Sequence, residues 1–110
     1  MEEISKGDIV FVPFPYSNLA GIKNRPAVVL STLAGDDVVL CQITSKEKFD
    51  GYSIILSNHD FQSGELILQS TIRPNKLFTA ERSIVIFKVG ALKELKFQQV
   101  IEKVCDILKA

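Results

Sequence analysis

Residues 27–43, which read AVVLSTLAGDDVVLCQI, contain two apolar runs separated by a turn signal. Ala27–Leu30 and Val38–Ile43 are rich in valine and leucine, and the Gly-Asp-Asp sequence at 35–37 is typical of a hairpin turn. Both runs are continuously apolar, as in strands that are buried on both faces or curled into a small barrel. We therefore predict an antiparallel hairpin inside a buried or curled sheet.

The sequence on either side of this hairpin, up to Gly90, is also typical of β structure. Asp8–Val12 predicts an opening strand, and Pro13 and Pro15 are expected to end its regular pairing, because proline cannot donate to a strand ladder. Further short strands are predicted at Ser53–Leu56, Glu65–Leu68, Ser70–Arg73 and Ser83–Val89.

The period of the apolar pattern changes after Gly90. Apolar residues then recur at helical spacing along one stripe, which predicts an amphipathic helix that seals one side of the sheet. The stripe consists of Phe97, Val100, Ile101, Val104, Cys105 and Leu108. We therefore predict a mainly β fold with one C-terminal helix, a small curled antiparallel sheet, in a single domain over residues 1–110.

Composition and charge exclude several classes of function. The chain of 110 residues carries 13 basic and 13 acidic side chains, which argues against a protein that binds nucleic acid with its whole surface but allows a local basic groove. Its one histidine, His59, and its two cysteines are too few for an H-E-x-x-H or Cys/His zinc site, and no glycine-rich nucleotide motif occurs. No metal and no cofactor are therefore expected.

Cysteine use and hydropathy favour a cytoplasmic protein. Cys41 and Cys105 lie in separate apolar segments and are expected to be buried thiols rather than partners in a disulfide. No apolar run approaches the ~20 residues that a membrane span needs, and the first residues are acidic, unlike a signal peptide. We expect no membrane contact.

Polar residues flank the predicted hairpin at its open end, where the first strand begins and the second strand ends. The segment Lys23–Arg25 precedes the first strand, and Thr44–Lys46 follows the second. In an antiparallel hairpin the start of one strand lies beside the end of the other, so Arg25 and Thr44 are expected to be neighbours. Together with Arg73, the lysines of these segments would form a basic pole. Two structural explanations stay open: Arg25 as a salt-bridged surface residue, and the hydroxyl of Thr44 as a turn cap.

Taken together, several segments resemble the PemK/MazF family of toxin endoribonucleases, in the family's order and over nearly the whole chain. The matching segments are KGDIVFVPFPY at 6–16, KNRPAVVLS at 23–31, CQITS at 41–45, STIRPNKL at 70–77 and KVGAL at 88–92. The resemblance implies an SH3-like barrel with a C-terminal helix, of the CcdB/PemK/MazF type. It also implies a homodimeric toxin that cuts single-stranded RNA at short sequence motifs without a metal, and that a separate antitoxin neutralises.

The resemblance also assigns site residues by motif. Arg25 of the Arg-Pro strand and Thr44 of the Ile-Thr-Ser element take the catalytic positions. A guanidinium that is always charged suits the negative charge that develops on phosphate when the 2′-hydroxyl of RNA attacks it, and a hydroxyl can donate to the same oxygens. Supporting or RNA-binding roles are expected for Phe14, Tyr16, Lys23, Asn24, Ser45, Lys46, Ser70 and Arg73. Unpaired bases are expected to stack on Phe14 or Tyr16 in the nearby loop.

The sequence departs from some relatives, which use a histidine in the first loop and an arginine–aspartate pair near the fourth matching segment. Residues 16–24 contain no histidine, and Leu68 and Ser70 stand where that pair would fall. No general base is therefore assigned. Two alternatives stay open: a catalytically weakened RNA- or antitoxin-binding relative, and a gyrase poison of the CcdB type, which uses a tryptophan near its C-terminus that this chain lacks.

Overall fold

The predicted hairpin forms the middle of one antiparallel sheet. In the computed structural model, which describes residues 3–15, 21–46 and 50–110, strands β2 (Ile22–Thr32) and β3 (Asp37–Thr44) pair with Val28 opposite Cys41. The other elements are β1 (Asp8–Pro15), β4 (Ile54–Leu56), β5 (Phe61–Gly64), β6 (Ser70–Glu81), β7 (Phe87–Leu92) and α1 (Glu94–Lys109). Single 3-10 turns lie at Asn58–Asp60 and Arg82–Ile84. Across the sheet, the described strands follow the order β4-β6-β3-β2-β1-β7-β5, with every pair antiparallel.

Both faces of the central hairpin are buried, as its continuous apolar runs predict. Val28 and Leu30 pack into a cluster beneath α1, whereas Ala27 and Val29 pack into a second cluster with residues of β1 and β3 on the opposite face. This division follows from the two-residue period of a strand, which sends alternate side chains to opposite faces. The mainly β fold with one C-terminal helix is therefore confirmed.

The two prolines of β1 do not end its pairing, so that prediction is wrong. Pro13 lies opposite Asn24 and Pro15 opposite Ile22, and β1 continues to residue 15. The other neighbour of β1, strand β7, pairs with it only from Asp8 to Phe11. Beyond Phe11, β1 therefore pairs on one side only among the residues that the structure describes, and a missing N–H is tolerated there.

The strand predicted at Glu65–Leu68 is also wrong, because these residues form the loop between β5 and β6. The strand lies just before them and ends at Gly64, which has φ +76°. Gly64 lies opposite Gly90 of β7, and a Cβ atom on either glycine would collide with the backbone of the other strand. Two glycines are therefore required for this close approach of β5 to β7.

Two other strand boundaries differ from the prediction. Strand β6 does not end at Arg73 but passes through Pro74 to Glu81. Its pairing with β3 shifts register between Cys41 and Ile43, so Pro74 lies at an irregular step of the ladder where its missing N–H is tolerated. The strand predicted at Ser83–Val89 begins later, at Phe87, after the 3-10 turn at Arg82–Ile84.

The C-terminal helix is confirmed, but its buried stripe is shorter than predicted. Phe97, Val100 and Val104 are buried against the cluster beneath α1, and Ile101 packs at its margin. Cys105 and Leu108 are exposed, because burial stops at Val104 and the last turn extends past the core. Within the described part of the chain, no helix is long and apolar enough to cross a membrane.

Candidate active site

Arg25 and Thr44 are in direct contact, as the hairpin argument predicts. The guanidinium Nη1 of Arg25 donates a hydrogen bond to the hydroxyl Oγ1 of Thr44 at 3.3 Å. The β2–β3 register, in which Ala27 lies opposite Gln42, brings these two residues together at the next step of the ladder. Arg25 is half-buried and Thr44 is buried, so the pair sits at the rim of the sheet rather than in open solvent.

The hydroxyl of Thr44 accepts a second hydrogen bond, from the backbone N–H of Lys46 at 3.3 Å. This local bond is the turn cap that the sequence also allows. A hydroxyl oxygen has two acceptor lone pairs and one O–H donor. With both lone pairs engaged, the O–H of Thr44 remains to donate to an oxygen of a ligand.

Thr71 extends this pair into a row across four strands, a position that the sequence analysis missed. Val12 lies opposite Arg25, and Thr44 lies opposite Thr71 of β6. Side chains in register across a sheet share one face, so two hydroxyls and a guanidinium lie side by side here. The sequence prediction chose Ser70 instead, whose buried hydroxyl donates to the carbonyl of Leu68 at 2.9 Å. Sequence alone gives no sign of the β3–β6 register that selects the threonine.

Arg73 stands two residues after Thr71 on β6, and its guanidinium is held by a carboxylate. Nη2 of Arg73 lies 3.1 Å from Oδ2 of Asp50, and the arginine side chain is only 11% exposed. Desolvation acts to raise the pKa of Asp50. Hydrogen bonds from the backbone of Tyr52 and from Ser53, together with the Arg73 charge, outweigh it, so the pKa lies below its ordinary value. Arg73 therefore contributes a positive charge that is already largely compensated.

Next to the Arg25–Thr44 pair lies a groove of about 370 Å³, whose floor is on the opposite face of the same strand ends and whose rim includes Arg25. Its floor is a row of register partners, Pro26–Phe11–Phe87, which crosses β2, β1 and β7. One wall is the loop Glu65–Leu68 between β5 and β6. Pro26 directly follows Arg25 in the chain, and consecutive strand residues face opposite sides, so the groove and the pair adjoin across the edge of the sheet.

The groove brings together five of the residues that the sequence analysis selected: Lys23, Asn24, Arg25, Ser45 and Ser70. Lys46 is exposed beside Thr44. Tyr16 lies outside the described residues. Phe11 and Phe87 are groove residues that the sequence analysis missed; only their strand pairing reveals that the two rings share a face.

Phe14 does not fit the exposed stacking position that was predicted for it. Its side chain is buried, and its ring lies 5.1 Å from that of Phe78, between centroids. It belongs to the cluster on the face of the sheet away from α1. The prediction is wrong because β1 does not end at Pro13, so Phe14 remains a strand residue whose side chain points into the core.

Similarity to known proteins extends over nearly the whole chain and is not confined to the site. Residues 5–108 match the family described as PemK-like, MazF-like toxin of type II toxin-antitoxin system. No curated protein matches the sequence at a significant level.

Three solved structures have similar folds. MazF from Deinococcus radiodurans superposes with a TM-score of 0.80 and 20% identity over 100% of both chains. The MazE–MazF complex from the same organism gives 0.75 and 21% identity, covering 96% of each chain. An endoribonuclease in complex with its cognate antitoxin from a mycobacterial species gives 0.77 and 12% identity, covering 97% of this chain and 96% of that chain. At these identities the likeness establishes a shared fold, and it confirms the predicted fold type.

Proposed function

Because the chain belongs to the PemK-like, MazF-like family of toxins of type II toxin-antitoxin systems, we propose that it is a metal-independent endoribonuclease that cuts single-stranded mRNA at short sequence motifs. The observation that carries the proposal is the hydrogen-bonded pair of Arg25 and Thr44 at the rim of the sheet. An endoribonuclease among the structures of similar fold is consistent with this activity.

The proposed reaction is a transesterification within the RNA, so its atoms and charge balance without a second substrate. The 2′-hydroxyl attacks the adjacent phosphorus, a P–O bond to the 2′-oxygen forms, and the bond to the 5′-oxygen breaks. The products are a 2′,3′-cyclic phosphate and a 5′-hydroxyl, which takes up the proton that the 2′-hydroxyl loses. Negative charge gathers on the non-bridging oxygens in the transition state, and stabilising that charge is the part of the reaction that fixed donors accelerate.

Arg25 is suited to that role by its bond to Thr44. A guanidinium carries five N–H donors in a fixed plane, and Thr44 takes one of them. That contact orients the plane while leaving other N–H groups to fork onto a phosphate. The O–H of Thr44 can donate to the same phosphate oxygens. Arginine cannot serve as the general base, since its pKa exceeds about 12.

We test the proposal by incubating the purified protein with long single-stranded RNA in excess chelator and mapping the ends of the fragments. Wild-type protein should give discrete cuts with 5′-hydroxyl ends. Arg25→Ala should lose roughly 10²–10³ in rate, as when one charge-stabilising donor is removed. Arg82→Ala is the matched control, because Arg82 lies in a 3-10 turn after β6 and contacts the carbonyl of Ile4. Intact RNA, or an undiminished rate for Arg25→Ala, would contradict the proposal.

We propose two assemblies on the same family membership. The first is a complex with a cognate antitoxin, as seen for two of the proteins of similar fold. The second is a homodimer, which light scattering of the purified protein would detect as twice the mass of 12.2 kDa.

A further inference from the structure

Phe87 is an exposed aromatic side chain that lines the groove and stacks on a second ring. It is 53% exposed, although large apolar side chains in folded domains are mostly buried. Its ring stacks on Phe11 with 5.1 Å between centroids and 23° between planes. The outer part of the ring faces the groove beside Arg25. An oriented and solvent-accessible ring is the surface on which proteins that bind single strands stack a base.

The groove adjoins the proposed phosphate site at Arg25. Residues Lys23–Arg25 line the groove, and Arg25 also holds Thr44 on the adjoining face. A nucleotide whose phosphate is bound at Arg25 therefore lies at the mouth of the groove. The positive charges of Lys23 and Arg25 complement the phosphate backbone, and the apolar floor complements a base. A volume of about 370 Å³ falls within the range of small-molecule sites.

Glu65 adds a selective group to the opposite wall. Among the described residues that line the groove, it is the one carboxylate. An ionised carboxylate can only accept hydrogen bonds, so it favours a base edge that presents N–H donors. Guanine, cytosine and adenine carry an exocyclic amino group, whereas uracil presents mainly carbonyl acceptors. A carboxylate in an RNA-binding groove repels phosphate, so this wall suits the edge of a base rather than the backbone.

We propose that this groove binds one unpaired base next to the cleaved phosphate, with Phe87 as the stacking surface and Glu65 selecting a base that bears an amino group. The inference rests on the proposed function, which it deepens by assigning part of the recognised sequence to particular residues. Phe87 thereby takes the stacking position that the sequence analysis gave to Phe14.

The stacking role is tested with Phe87→Leu, which keeps an apolar side chain but removes the ring, and Phe87→Tyr, which keeps the ring. Stacking of one base corresponds to roughly a 5- to 150-fold change in affinity. We expect Phe87→Leu to raise KM about tenfold with little change in kcat, and Phe87→Tyr to restore it. Tyr52→Leu is the matched control, because Tyr52 is 44% exposed and does not line the groove.

The selectivity role is tested with Glu65→Gln on a library of RNA targets randomised around the cut. We expect wild-type protein to disfavour uracil at one position next to the cut, and Glu65→Gln to reduce that discrimination there alone, because an amide also donates hydrogen bonds. Glu102→Gln, on the exposed side of α1, should leave the preference unchanged. Equal base preference in wild type and Glu65→Gln would overturn the assignment.

A third measurement separates failure of the groove from failure of the proposed function. Binding of an oligonucleotide with a 2′-deoxy sugar at the cut site is followed by fluorescence anisotropy, together with the mass from light scattering. Weaker binding by Phe87→Leu at unchanged mass supports the groove even if wild-type protein does not cut RNA. If Phe87→Leu binds the oligonucleotide as wild type does and has the same KM, the proposed role of the groove is overturned. If the mass of Phe87→Leu differs from that of wild type, the groove is covered by a second copy of the chain. If the variant loses only antitoxin binding, the groove is the antitoxin's site. Either result also overturns the base-binding proposal.

Discussion

Replacement of Thr44 by valine separates the two roles that its hydroxyl can have. Valine has nearly the same shape, so the substitution removes the hydroxyl with little change of volume. The hydroxyl accepts two hydrogen bonds in the structure, from Arg25 Nη1 and from the N–H of Lys46, both at 3.3 Å. A typical hydrogen bond contributes about 0.5–1.5 kcal/mol net to stability. Both of these are long, and both donors are near solvent that can replace the lost acceptor.

We therefore expect Thr44→Val to lower the free energy of unfolding by only about 1–2 kcal/mol. For a domain near this size, that corresponds to a decrease in Tm of roughly 4–10 °C. The effect on RNA cleavage should be larger, because the variant loses an O–H donor to the developing charge and also releases Arg25 from its fixed orientation. Loss of one such donor costs about 10²–10³ in kcat.

The assay is RNA cleavage at 25 °C, well below the Tm of either protein, alongside thermal unfolding by circular dichroism. Thr44→Ser is the control, because it keeps both the acceptor and the O–H group and should retain most of the cleavage rate. If Thr44→Val unfolds at a lower temperature but cuts RNA at the wild-type rate, the hydroxyl is only a turn cap and the catalytic reasoning is refuted. If Thr44→Ser is impaired as much as Thr44→Val, a side chain that keeps the hydroxyl does not sustain cleavage, and the reasoning fails as well.

Three further predictions concern the framework around the site. Gly90→Ala should destabilise the fold by more than about 2 kcal/mol, since a Cβ there collides with the β5 backbone. Denaturant unfolding measures this loss against Gly35→Ala, where the Cβ meets no atom and only the φ of +81° opposes the alanine. Burial raises the pKa of the Cys41 thiol to about 12, so the folded state keeps its proton above pH 9 while the unfolded state loses it. Stability should therefore fall by up to about 1.36 kcal/mol per pH unit there, a component that Cys41→Ser lacks. The pKa of Asp50 is lowered in the folded protein, so the ionised carboxylate stabilises the fold above the ordinary carboxyl pKa, and this stabilisation is lost as the pH falls through the pKa of the folded state. The difference in free energy of unfolding between wild type and Asp50→Asn should therefore become smaller on acidification.

The contact that best defines the candidate site could be predicted because it depends on one hairpin. A turn signal at 35–37 and two apolar runs fix the pairing of β2 with β3, and antiparallel geometry then requires Arg25 to lie near Thr44. The helix could be predicted for a similar reason, since its period is local. Its exposed end could not, because the residue at which burial stops depends on how far the sheet extends beneath α1.

The errors arose where pairing with a distant strand decides the outcome. Glu65–Leu68 has the apolar composition of a strand but lies between β5 and β6 in the position of a wall, with Ile67 99% exposed. Ser70 and Thr71 are equivalent by sequence, and only the register of β6 on β3 brings the threonine beside Thr44. Phe14 follows a proline that normally ends pairing, and it stays in the core because β1 has a partner on one side there.

The division of the site into two faces follows from the same hairpin. Arg25 and Pro26 are consecutive, so the strand period directs the guanidinium to one face and the proline to the floor of the groove on the other. A slip of one residue in the β2–β3 register would exchange the two faces. Alternation of polar and apolar residues cannot prevent that slip, because Ala27–Leu30 is apolar throughout. The two faces differ in volume instead: Val28 and Leu30 fill the cluster beneath α1, while Ala27 and Val29, together the smaller pair, fill the other, so a slip would mismatch both clusters. The packing of four buried residues therefore determines which face carries the proposed phosphate site and which carries the proposed base site.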